Sequence, residues 1–131
     1  MSTRSIAAAM LGAAALSGLG TSASIAAPAG DPVQGKAVFA RCGICHAVTP
    51  GKAGIGPNLA GVVGRKAGTL AGYAYSPAMK SSGITWTRKE LDAYLTAPAT
   101  KVPGNKMAFP GLPAAADRQN VIAYLAAQPA K

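Results

Sequence analysis

Residues 42–46 read Cys-Gly-Ile-Cys-His and hold both cysteines and the single histidine of the 131-residue chain. C-x-x-C-H is the attachment signature of a c-type haem. Two thiols at this spacing can each add across a haem vinyl group, and the adjacent histidine then lies beneath the porphyrin, within reach of iron. One covalently held haem therefore accounts for Cys42, Cys45 and His46 together. Competing chemistries fit less well. A structural zinc site usually takes four ligands, and the chain has only three Cys and His side chains in total. A thioredoxin-like redox pair expects a βαβ pattern, which is absent. A disulfide across two residues closes too small a loop to contribute much.

Haem iron has a second axial position, and with one histidine in the chain bis-histidine ligation is excluded by counting. Methionine, lysine or an open site remain. Met79 follows Ser76-Pro77 in a short helical segment, where packing is the ordinary use of a thioether. Met107 stands in Val102-Pro103-Gly104-Asn105-Lys106-Met107-Ala108-Phe109-Pro110-Gly111, a segment stiffened by proline and turned by glycine. Such a segment suits a loop that holds a sulfur toward iron, and a thioether there raises the reduction potential relative to nitrogen ligation. Met107 is the favoured ligand.

Four helices are expected to position these residues. Asp31-Pro32 is an N-cap followed by proline at the first helical position, opening a helix from Val33 to Arg41. Ser76-Pro77 repeats the device for a short helix to about Ser81. Thr87-Arg88-Lys89-Glu90 reads as a capping box, with Leu91, Tyr94 and Leu95 following at helical spacing. A last helix runs from near Pro113 to about Gln128 on a stripe of Val121, Ile122, Tyr124 and Leu125. Residues 47–75 and 98–112, rich in Gly, Pro, Asn and Lys, read as loop, and no run alternates with strand period. Long irregular segments count against a compact domain, unless a haem gives them something to pack on.

Arg4, the apolar stretch Ile6 to Leu19 and the small residues Ser24-Ile25-Ala26 read as a cleavable secretory signal over 1–26. The apolar stretch falls short of the ~20 residues needed to span a bilayer. Cleavage would leave residues 27–131 as one soluble domain with 12 Lys+Arg against 4 Asp+Glu once Arg4 is gone, a net +8. That balance favours acidic partners and fast, salt-sensitive encounters. The cations form no dense run, which together with export argues against nucleic acid.

Taken in order along residues 30–128, the motifs resemble class I c-type cytochromes, the soluble bacterial carriers of the mitochondrial-like type. Gly35-Lys36-x-Val38-Phe39 precedes the thiols, and Gly56-Pro57-Asn58-Leu59 follows them. Gly64-Arg65, Gly72-Tyr73-x-Tyr75, Gly83-Ile84-Thr85-Trp86 and Tyr94-Leu95 come next. The methionine loop and Val121-Ile122-Ala123-Tyr124-Leu125 complete the set.

The resemblance implies an all-α cytochrome c fold around one haem c, with the carbonyl of Pro57 accepting from the far nitrogen of His46. It implies that Arg65, Tyr75 and Trp86 hold a buried propionate, and that Tyr94 lies near the sulfur of Met107. Gly35 is expected where the first and last helices cross, beside Phe39 and Tyr124. Two departures stand out: Asn105 where the family commonly has threonine as a propionate contact, and Met79 where asparagine is frequent. The cationic face is expected to be thin, relying on Arg41, Lys52, Lys101 and Lys106.

The implied function is a monomeric periplasmic carrier moving one electron at a time, not an enzyme, between membrane-bound redox complexes with acidic surfaces. A quinol-oxidising cytochrome complex is the expected donor, and an oxidase, reaction centre or peroxidase the acceptor. A haem peroxidase, a gas-binding cytochrome and a fixed subunit of a periplasmic oxidoreductase are the rivals.

Overall fold

The computed structural model describes residues 29–130; the leader expected over 1–26 lies outside them. Five helices follow one another: α1 (Pro32–Phe39), α2 (Pro77–Ser81), α3 (Arg88–Thr96), α4 (Pro98–Lys101) and α5 (Ala115–Ala126). Among the described residues there is no strand, only an isolated antiparallel bridge between Lys66 and Thr85. None of the described helices is long and apolar enough to cross a membrane.

The start signals act largely as expected. Asp31 accepts from the backbone N–H of Val33 at 2.8 Å ahead of Pro32. Ser76, itself buried, accepts from Met79 N–H at 3.1 Å ahead of Pro77. Thr87 accepts from Glu90 N–H at 3.1 Å, but the capping box is only half made. The Glu90 carboxylate turns to Lys101 Nζ at 2.8 Å instead, joining α3 to α4. α4 is the correction to the expected loop over 98–112. Proline at its first position starts a single turn that has no side-chain cap, so local sequence carries little signal for it.

α1 and α5 form the principal helix pair. A Cβ on Gly35 would lie 1.9 Å from the carbonyl oxygen of Asn120, so only hydrogen fits at the crossing. Phe39 and Tyr124 pack beside it with ring centroids 5.2 Å apart. The Asn120 side chain accepts from Asp31 N–H at 2.8 Å, which fixes the register of the pair. The core gathers Val121, Ile122 and Leu125 of α5, Leu91 and Tyr94 of α3, and Val62, Trp86, Val102 and Leu112 from the intervening segments.

Residues 47–75 are irregular but not without partners. Gly64 N–H donates to Trp86 O at 2.8 Å, Trp86 N–H to Arg65 O at 2.9 Å and Ala67 N–H to Ile84 O at 2.8 Å. This short ladder, with Ala60, Val62 and Ala67 buried, lets a long loop satisfy its own backbone.

Arg118 of α5 ties the far side together. Its Nε donates to Asp92 Oδ1 at 2.8 Å, and one terminal nitrogen donates to the carbonyls of Leu112 and Pro113 at 2.8 and 2.9 Å. Arg118→Ala is expected to cost the holoprotein about 2 kcal/mol, or roughly 10 °C in Tm, because it strips partners from a carboxylate and two carbonyls. Arg118→Lys should restore less than half of that loss, since an ammonium cannot reach all three acceptors. Thermal denaturation followed by circular dichroism measures both.

Candidate haem site

The thiol-bearing segment leaves α1 through tight turns. Cys45 N–H and His46 N–H both donate to Cys42 O, at 3.0 and 2.9 Å, so Cys42, Cys45 and His46 are wound into one compact unit. Burial pushes the Cys42 thiol up, with Arg41 acting in the opposite direction. Cys42 and Cys45 are not joined to each other by a disulfide. Among the described residues no group of three His, Cys, Asp or Glu side chains is assembled around a common metal position.

The His46 ring is fixed by the loop that follows it. Its Nδ1 donates to Pro57 O at 2.7 Å. A carbonyl can only accept, so Nδ1 carries the proton and Nε2 keeps its lone pair for a ligand. Gly56 closes against the ring: a Cβ there would lie 2.4 Å from His46 Cε1. The loop itself is held by Asn58, whose amide donates to the carbonyls of Thr49 and Lys52 at 2.7 and 2.8 Å. Its oxygen accepts from Ala60 N–H at 2.7 Å.

A mainly apolar cavity of about 460 Å³ lies between these elements. All the residues singled out from sequence border it: Cys42, Cys45, His46, Pro57, Arg65, Tyr75, Trp86, Tyr94 and Met107. They come from every part of the chain between α1 and the methionine loop. The volume falls within the range of cofactor sites. Two thiols on one wall, an imidazole with a free lone pair and a thioether form a donor set that fits a covalently held haem. The cradle formed by Gly56 keeps the His46 ring in a single plane.

Around Met107 the geometry is specific. Tyr94 is buried, and its hydroxyl donates to the sulfur at a long 4.0 Å. Burial first, and Tyr73 second, push the Tyr94 hydroxyl up to about 12, which keeps it a neutral donor. Trp86 stacks at a tilt on Tyr94, centroids 4.9 Å apart. Tyr75 is raised by burial, against which Arg65 acts, and packs edge-on to Tyr73 at 4.7 Å. Arg65 is anchored through Ala60 O at 3.2 Å and Asn58 O at 2.9 Å while still bordering the cavity. Met79 is buried, its thioether packed in the core and facing the same cavity.

Several features were not legible beforehand. Asn105 does not stand free as a propionate contact. Its amide nitrogen donates to Pro98 O at 3.1 Å and Val102 O at 2.9 Å, and its oxygen accepts from Met107 N–H at 2.7 Å. Arg41 and Lys106 border the cavity, whereas Lys52 and Lys101 do not, and Lys101 is paired with Glu90. Lys106 Nζ donates to Ala74 O at 3.0 Å, tying the methionine loop across to the segment before α2. The rim also carries Ile44 and Ile55, 77% and 78% exposed, an apolar border hidden within the motif spacing.

Known proteins are similar to this chain in sequence and fold. The sequence profile of the family described as cytochrome c matches residues 32–128. Cytochrome c2 of Rhodoblastus acidophilus is 56% identical over 98 residues, covering 74% of this chain and 92% of that protein. Cytochrome c-550 of Nitrobacter winogradskyi is 46% identical over 97 residues, covering 73% and 89%. Cytochrome cH from Methylobacterium extorquens superposes with a TM-score of 0.72 at 46% identity, covering 76% of this chain and all of that one. With its thiol pair, oriented imidazole and apolar cavity, the chain belongs to the cytochrome c family of electron-transport proteins, carrying one haem c through Cys42 and Cys45.

Proposed function

We propose that the protein is a soluble one-electron carrier in which His46 and Met107 hold the iron and no chemistry is done on a substrate. One observation carries this reading. An imidazole with Nδ1 committed to Pro57 and a thioether beside the Tyr94 hydroxyl border the same apolar cavity. The bound haem supplies the exchange between ferric and ferrous iron. The residues of the chain do the rest. Pro57 and Gly56 hold the imidazole in one tautomer and orientation. Tyr94 directs an uncharged hydroxyl at the sulfur, and Trp86, Leu91 and Val121 keep water away from that side. Arg65 and Tyr75 supply donors for a propionate. Two fixed ligands leave little to reorganise and no place for a substrate, which separates this reading from a peroxidase or a gas-binding protein.

Export by a cleaved leader over 1–26 puts the domain 27–131 in the periplasm. There, as a monomer that binds no nucleic acid, it takes electrons from a quinol-oxidising complex and passes them to an oxidase, reaction centre or peroxidase. Arg41 and Lys106, with the apolar rim of Ile44 and Ile55, form the face presented to such acidic surfaces. The names cytochrome c2 and c-550 among the relatives support the electron-carrier reading. Purified ferric protein should show the weak red absorption band of methionine-to-iron ligation, and the ferrous protein should bind carbon monoxide poorly at neutral pH. Ready carbon monoxide binding would overturn the carrier reading in favour of a haem enzyme.

A further inference from the structure

We infer that Asn105 is a positioning residue for Met107, setting how firmly the thioether is held at the cavity. The inference rests on Met107 being the sixth ligand, as proposed above. The Asn105 side chain spends both its donors and one acceptor position inside one loop. Both amide hydrogens go to carbonyls of the α4 turn and its exit, Pro98 at 3.1 Å and Val102 at 2.9 Å. The oxygen takes the N–H of Met107 at 2.7 Å. A single planar group therefore ties the backbone of Met107 to a helix turn that is itself anchored through buried Pro98 and Val102.

The other restraints on Met107 are weaker. Tyr94 reaches the sulfur only at 4.0 Å, and the Lys106 tether to Ala74 is exposed to solvent. Pro98 O and Val102 O also accept backbone N–H groups, at 3.0 Å from Val102 and 3.1 Å from Asn105. Removal of the amide therefore leaves those carbonyls satisfied. The N–H of Met107 loses its partner, and the loop loses the brace that connects residue 107 to α4. A side chain that only filled space would not concentrate its effect at that one N–H.

Imidazole competes for ferric iron once a methionine ligand lets go, so its affinity for the ferric holoprotein reports how firmly Met107 is held. Asn105→Ala should raise that affinity about tenfold. Asn105→Ser keeps an acceptor for the N–H two residues on, and should hold the rise to about threefold. Arg118→Ala, which destabilises the fold away from the cavity, should stay within about twofold of the parent protein. Equal rises in Arg118→Ala and Asn105→Ala would reduce Asn105 to a general structural role and overturn the inference. An unchanged imidazole affinity in Asn105→Ala would do the same. If Asn105→Ala does not accumulate as holoprotein, the comparison of Asn105→Ser with Arg118→Ala decides by the same criterion. The red band of the parent ferric protein separates the two levels: its absence removes Met107 as ligand and this inference with it, while its presence with unmoved imidazole affinity removes Asn105 alone.

Discussion

Met107→Ala will lower the reduction midpoint of the holoprotein on the order of 0.2 V, a fraction of the ~0.8 V range that axial ligands span. The physical reason is ligand preference. A neutral, polarisable thioether favours the ferrous state, and its loss admits water or another hard donor that favours the ferric one. At 59 mV for each tenfold change in a one-electron couple, the drop corresponds to roughly three decades in relative stability of the two oxidation states. The same variant should lose the red absorption band and bind carbon monoxide when reduced. Met79 supplies the matched comparison, because it is a second thioether bordering the same cavity. It is buried on α2 among core residues. Met79→Leu, which preserves apolar volume, should keep the band, with a midpoint shift well under half that of Met107→Ala. A normal midpoint and an intact band in Met107→Ala would refute the ligand assignment.

Gly35→Ala should be strongly damaging, costing about 3 kcal/mol or more. The added Cβ would meet the Asn120 carbonyl oxygen at 1.9 Å, its carbon at 2.6 Å and Tyr124 Cβ at 2.8 Å. Two of these are backbone atoms of α5, so no rotamer change relieves the clash and the helices must separate. Separation would in turn break the Asp31–Asn120 hydrogen bond and part the Phe39–Tyr124 rings at the two ends of the crossing. Gly43→Ala is the control. Its nearest neighbours would be at 3.5 Å, ordinary contact, and its φ is not in the left-handed region. It should change stability by less than about 0.5 kcal/mol. Urea midpoints of the two holoproteins, at equal slope, give the comparison directly; similar midpoints would mean that the crossing tolerates a methyl group.

The helix starts were legible wherever a capping side chain preceded a proline, as at Asp31 and Ser76, because both signals act within one turn of the chain. Thr87 shows the limit of such local reading. It caps α3 as expected, but its expected partner Glu90 is claimed by Lys101, a residue beyond the reach of any local pattern. The α4 turn has no capping side chain and went unseen for that reason. The charges of the chain are countable from sequence, but their pairing is not: Lys101 is engaged by Glu90.

Cofactor and anchorage were determined by sequence alone, because covalent attachment needs two thiols and an imidazole at fixed short spacing, and Cys42-Gly43-Ile44-Cys45-His46 supplies them without help from the fold. Counting histidines narrowed the second ligand to a thioether, a lysine or none. What only the tertiary structure decided was how those groups are held. Pro57 meets His46 at 2.7 Å, Tyr94 lies beside the sulfur of Met107, and Asn105 turns inward to brace its own loop rather than outward to a propionate. Orientation of this kind depends on which distant carbonyls and hydroxyls the packed chain brings within hydrogen-bonding distance. Composition and spacing constrain the types of neighbours along the chain, whereas the conformation of the loops around the cavity decides which carbonyls, hydroxyls and amides meet, even for Asn105 and Met107 two residues apart.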